Sequence, residues 1–186
     1  MVTFADGATQ WRTRDIVVVA VIAVAFGVFF WAFGLAWSGL GALGPAQNIL
    51  YAGWLLPGIV APLVVRKAGA ALFAEVVAAG VSMLIGSQWS VDTLVSGVVQ
   101  GAAAEIVFAA FGYSRWDVLV IALASLASMA AAFVHDWLVY YPTYDSGALI
   151  PIALFMAVSG IVVLPAIAVA VVRALRQAGV LEGFPA

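Results

Sequence analysis

The sequence predicts an all-α integral membrane protein, a bundle of six transmembrane helices with its N- and C-termini on the cytoplasmic side. Three observations predict it. Hydrophobic residues make up 66% of the 186 positions and charged residues 9%, with a mean hydropathy of +1.18, well outside the range of soluble domains. Apolar runs near the roughly 20 residues needed to cross a bilayer at 1.5 Å per residue recur along the chain. The seven Lys and Arg residues fall only in alternate breaks between those runs, the pattern expected of short cytoplasmic loops.

The first helix is expected over 16–36, after Arg12, Arg14 and Asp15. This run is too long for a signal peptide and lacks a small-residue cleavage site, so it reads as an uncleaved span. The second is expected over 47–65, bent by Pro57 and Pro62, since proline removes a helical hydrogen bond. The third covers 68–85, the fourth 91–111, the fifth 116–140, and the sixth 148–172 with a kink at Pro165. Arg66 and Lys67 separate the second and third, Arg115 the fourth and fifth, and Arg173 and Arg176 follow the sixth. The opposite breaks, 38–46, 86–90 and 141–147, hold no Lys or Arg but do hold Trp89, Tyr141, Tyr144 and Asp145. No linker or repeat interrupts the pattern, so 1–186 reads as a single transmembrane domain in the plasma membrane.

Composition also excludes functions. A net charge of −2 and scattered basic residues argue against nucleic-acid binding. With no cysteine and one histidine, His135, no thiolate or histidine-rich metal site is expected. No phosphate-binding Gly-x-x-x-x-Gly-Lys-Ser/Thr motif is present, and the single lysine, Lys67, lies outside any such context. No catalytic residue, metal or cofactor is expected.

Ionisable groups within spans are costly and default candidates for a site. They are Glu75, Glu105, His135 and Asp136, joined by Gln100 near the middle of the fourth span. Ala71, Glu75, Ala79 and Ser82 share one helical face, as do Gly97, Gly101 and Glu105, and Ser125, Ser128, Ala132, His135 and Asp136 form a third polar stripe. The simplest geometry is a pocket open to the outside, where Trp31, Trp54 and Trp89 are available to stack on a flat or cationic ligand. The expected substrate-binding set is therefore Glu75, Gln100, Glu105 and His135, with those three tryptophans. The same polar residues also suit interhelical bonds, and the same aromatics suit an interfacial belt.

The stretch Val65-Arg-Lys-Ala-Gly-Ala-Ala-Leu-Phe-Ala-Glu75, then Ser96-Gly-Val-Val-Gln-Gly-Ala-Ala-Ala-Glu105-Ile-Val-Phe, then Tyr113-Ser-Arg-Trp116 resembles the YkoE-type S component of energy-coupling factor transporters. Arg14 to Gly27 resembles the opening of that family, and the likeness covers the first five spans. It implies a six-helix subunit that captures thiamin or its hydroxymethylpyrimidine precursor outside the cell, with a T-component membrane subunit and two ATPase subunits as partners. It further implies docking on the T component through small residues of the first span, here Ala20, Ala23 and Gly27. The family's Ala-x-x-x-Ala is Ala23-x-x-x-Gly27 in this chain, and Ala68 stands where proline is expected. Two other readings stay open: a ligand-free assembly subunit, and an intramembrane enzyme using Glu75 or Glu105 with His135.

Overall fold

The structure, a computed structural model, describes residues 4–185. Its elements are α1 (Thr13–Gly39), a 3₁₀ stretch (Leu40–Leu55), α2 (Leu56–Val65), α3 (Ala70–Leu84), α4 (Val91–Ala110), α5 (Val118–Val139), α6 (Ser146–Val158), a π-helical turn (Ser159–Val163) and α7 (Leu164–Gln177). Among the described residues, four helical stretches are long and apolar enough to cross a membrane: Thr13–Val65, Val91–Ala110, Val118–Val139 and Ser146–Gln177. Ala70–Leu84 is apolar but spans only 15 residues.

Thr13–Val65 is 53 residues long and doubles back on itself. At Gly44 the backbone takes φ 54° and ψ −139°, a geometry that glycine adopts without strain, and Pro45 follows. The return leg brings Trp54 against α1, with ring centroids 4.8 Å from Phe33 and 5.4 Å from Phe30. The expected second helix over 47–65 is thus tight 3₁₀ winding as far as Leu55 and α-helical only from Leu56. Pro57 sits in the first turn of α2, where a missing N–H costs nothing. Every residue of α2 is buried, which makes it the central element of the bundle.

Around α2 the helices approach closely because small residues line the contacts. A Cβ on Gly97 of α4 would lie 2.6 Å from the Cβ of Ala79 on α3, and one on Gly27 of α1 would lie 2.6 Å from the Cβ of Val81. In α3, Ala70, Ala71, Ala74, Ala78 and Ala79 are all buried. Outward positions are apolar instead: Val17, Val21, Val24 and Val28 on α1, and Ile150, Leu154 and Val158 on α6, as a lipid-facing surface requires. The expected sixth helix is interrupted by the π turn just before Pro165, where the hydrogen-bond ladder shifts register. Ser159 in that turn accepts from the Ala52 amide at 2.9 Å and donates to the Ile49 carbonyl at 2.9 Å, tying the turn to the 3₁₀ stretch.

Candidate ligand-binding cavity

A cavity of about 480 Å³ opens where the C-terminal ends of α1 and α5 meet the N-terminal half of α4. This volume suits a small organic molecule. Its wall takes Trp37 from α1, Tyr51 and Trp54 from the 3₁₀ stretch, Trp89 from the α3–α4 loop, and Asp92, Ser96 and Gln100 from α4, with Asp136 and Tyr140 at the end of α5. No Lys or Arg lines it.

Asp92 and Asp136 belong to one bonded network. Tyr51 Oη donates to Asp136 Oδ2 at 2.7 Å. His135 stands between the carboxylates, its Nδ1 3.1 Å from Asp136 Oδ1 and its Nε2 3.1 Å from Asp92 Oδ1. Tyr140 Oη donates to Asp92 Oδ2. Burial, and then the Asp92 carboxylate beside it, push the Tyr140 phenol above its ordinary value, so it remains a donor. Two carboxylates share one imidazole, so this wall is acidic in either state of the histidine.

The aromatic side is built edge to face. Trp54 meets Trp89 with centroids 5.2 Å apart at 88°, and Trp37 meets Tyr51 at 5.9 Å and 89°. Gly34 makes room for Trp89, since a Cβ there would lie 3.0 Å from its ring. The α3–α4 loop is fastened across the opening by Gln88, which donates to the Gly34 carbonyl at 3.0 Å and accepts from Ser38 at 3.0 Å. Gln100 donates to Ser96 Oγ at 2.6 Å, and its backbone carbonyl accepts from Ser128 at 2.9 Å.

Of the residues expected to bind ligand, Gln100, Trp54 and Trp89 line the cavity, and Glu75, Glu105, His135 and Trp31 do not. His135 lies one layer behind, holding Asp92 and Asp136. Trp31 is 37% exposed on the outer side of α1. Where the sequence suggests ligand carboxylates, the structure has two helix caps. Glu75 Oε1 accepts from the Gly58 amide at 2.8 Å, in the first turn of α2, while its buried Oε2 meets no described hydrogen-bond partner. Glu105 accepts from the amides of Gly69 (2.6 Å), Ala71 (2.9 Å) and Leu72 (3.3 Å) at the start of α3, and from Tyr113 Oη at 2.6 Å. Burial first, then the Glu105 bond, raises the Tyr113 phenol. Neither helix has a side-chain cap of its own, their cap positions being Leu55 and Gly69, so acids from neighbouring helices satisfy amides that hydrocarbon cannot.

The stripe expected to dock a partner is also used within the chain. Ala23 is fully buried, Gly27 packs on Val81 and Ala78 of α3, and Ala20 is half-buried. Small residues mark any close helix contact, so this signature does not separate internal packing from docking. Two cavity acids, Asp92 and Asp136, are absent from the expected set. Asp92, in the first turn of α4, looks in sequence like a helix-dipole partner.

Residues 14–133 match the family model for the permease component of an ABC-type cobalt transport system. The chain is 34% identical over 180 residues, 94% of its length and 89% of the relative's, to YkoE of Bacillus subtilis (strain 168), whose assignment as an HMP/thiamine permease is itself a proposal. Among solved structures, the crystal structure of an S-component of an ECF transporter matches with a TM-score of 0.89 and 32% identity, covering 94% of this chain and 90% of that one.

Proposed function

This chain belongs to the YkoE-type family of energy-coupling factor transporter S components, and from that membership we propose that it captures thiamin or its hydroxymethylpyrimidine precursor in the cavity of Asp92 and Asp136. It is a multi-pass plasma membrane protein and a substrate-binding transport subunit, not an enzyme. In our reading the doubled-back Thr13–Val65 contributes two crossings and α3 is a short crossing, which makes six, with both termini cytoplasmic and the cavity facing out. A T component and two ATPase subunits drive import.

The observation that carries the ligand reading is the cavity wall, which sets Asp92 and Asp136 against Trp37, Trp54 and Trp89 without a basic residue. A thiazolium cation gains from the carboxylates, an aminopyrimidine edge donates to Asp or Gln oxygens, and either ring stacks on indole. Gln100 serves as a polar ligand at the cavity floor, and His135 positions both acids. Glu75 and Glu105 act through the helices they cap.

Titration of the purified protein with thiamin and with hydroxymethylpyrimidine, followed by tryptophan fluorescence and by calorimetry, tests this. Quenching with saturable heat is expected for at least one of them. Silence from both, in protein that melts cooperatively, would reject the ligand and favour an assembly subunit.

A further inference from the structure

We propose that the chain carries a second binding site, at the end of the bundle opposite the cavity, which takes the phosphate of an anionic lipid headgroup. A recess of about 650 Å³ lies there between the N-terminal segment, the start of α1, the α2–α3 and α4–α5 turns and the C-terminal tail. Arg12, Arg14, Arg66 and Lys67 line it, against two carboxylates, Asp6 and Asp15. Asp15 is occupied as the first-turn cap of α1, accepting from the Arg12 amide at 3.0 Å.

Two of these cations are held in place by backbone carbonyls. Lys67 Nζ donates to the Gly7 carbonyl at 2.6 Å, and Arg14 Nη2 to the Gly183 carbonyl at 2.8 Å. Among the described residues, no carboxylate forms an ion pair with Arg12, Arg14 or Lys67. Arg14 lies 4.3 Å from the Phe184 ring and Arg66 lies 5.8 Å from Trp116. Membrane topology needs basic residues near this end of the helices, but it does not need them to converge from separate turns on one recess. Arg12, Arg14 and Lys67, converging on one recess, match the charge and the multiple acceptors of a phosphate.

A soluble phosphate would meet the same donors, but the surroundings favour a lipid. Ile16, Val17 and Val21 are exposed within about two turns of Arg14, so acyl chains can lie along α1 while the headgroup fills the recess. Each cation near an anionic headgroup contributes roughly fivefold in affinity.

The test uses the full chain in a neutral detergent, with native mass spectrometry and thermal unfolding. The probes are phosphatidylglycerol, phosphatidylcholine of the same acyl chains, and inorganic phosphate. Retention of phosphatidylglycerol over phosphatidylcholine is expected, with a raised melting temperature. Arg12→Gln, at an exposed side chain, should lower that retention about fivefold, and Arg12→Gln with Lys67→Gln about 25-fold, with cavity-ligand affinity unchanged in Arg12→Gln. Equal retention of both lipids, or an Arg12→Gln protein that binds like the wild type, would overturn the proposal. A melting shift with inorganic phosphate that lipid does not exceed would overturn the lipid as its source.

Discussion

Replacing Asp136 by Asn isolates charge from shape in the cavity. The residue is 7% exposed, and Asn is nearly isosteric, so its carbonyl oxygen still accepts from Tyr51, now 2.7 Å from Oδ2. What disappears is the negative charge. A unit pair at about 4 Å and an effective dielectric of about 20 is worth about 4 kcal/mol. Tyr51 and His135 already share that charge, and a cation must shed water to enter, so about half survives as binding energy. About 2 kcal/mol corresponds to roughly thirtyfold weaker thiamin binding. The uncharged pyrimidine loses only the difference between a charged and a neutral acceptor, about 1 kcal/mol or roughly fivefold. Calorimetric titration of both ligands measures the two ratios, and thermal melting confirms that the variant is folded. Thiamin affinity within twofold of wild type, or an equal loss for both ligands, would refute the idea that the cavity recognises positive charge.

Glu105→Gln replaces one acceptor oxygen by an NH2 donor, so either the Gly69 amide or the Ala71 and Leu72 amides lose their acceptor and the rest meet a neutral oxygen. It should cost about 2 kcal/mol of stability, read as a lower melting temperature, with ligand affinity of the folded protein unchanged. Gly97→Ala places a Cβ 2.6 Å from that of Ala79. It should destabilise by about 1–3 kcal/mol and weaken ligand binding, because both residues line the cavity. Gly80→Ala on the same α3–α4 unit meets nothing within 4 Å and should leave the melting temperature unchanged or raise it by the equivalent of about 0.5–1 kcal/mol.

The helical class and the apolar stretches were legible because hydropathy reads transfer into lipid directly. The 3₁₀ winding of Leu40–Leu55 was not, since an apolar run carries no mark of its hydrogen-bond period. Glu75 and Glu105 were recognisable as costly groups that need a reason to be inside a span. Their partners were invisible because those partners are backbone amides. The available clue lay elsewhere, in two helices beginning at Leu55 and Gly69, which have no capping side chain. Trp54, Trp89 and Gln100, expected from aromatic and polar position alone, do line the cavity. Asp92 was missed because proximity to a helix start supplies a local explanation for an acid, and only the fold brings His135 and Tyr140 to it.

The two borrowed caps also bear on how the chain is made. Helix α2 waits for Glu75 on α3, and α3 waits for Glu105 on α4. A nascent chain whose α4 has not yet emerged holds the amides of Gly69, Ala71 and Leu72 without their acid, and a buried amide left without an acceptor costs about 1–3 kcal/mol. Membrane insertion is therefore not a sequence of independent commitments. Helices α2, α3 and α4 are expected to behave as one cooperative unit, since the start of each of the first two is completed by an acid from the helix that follows it.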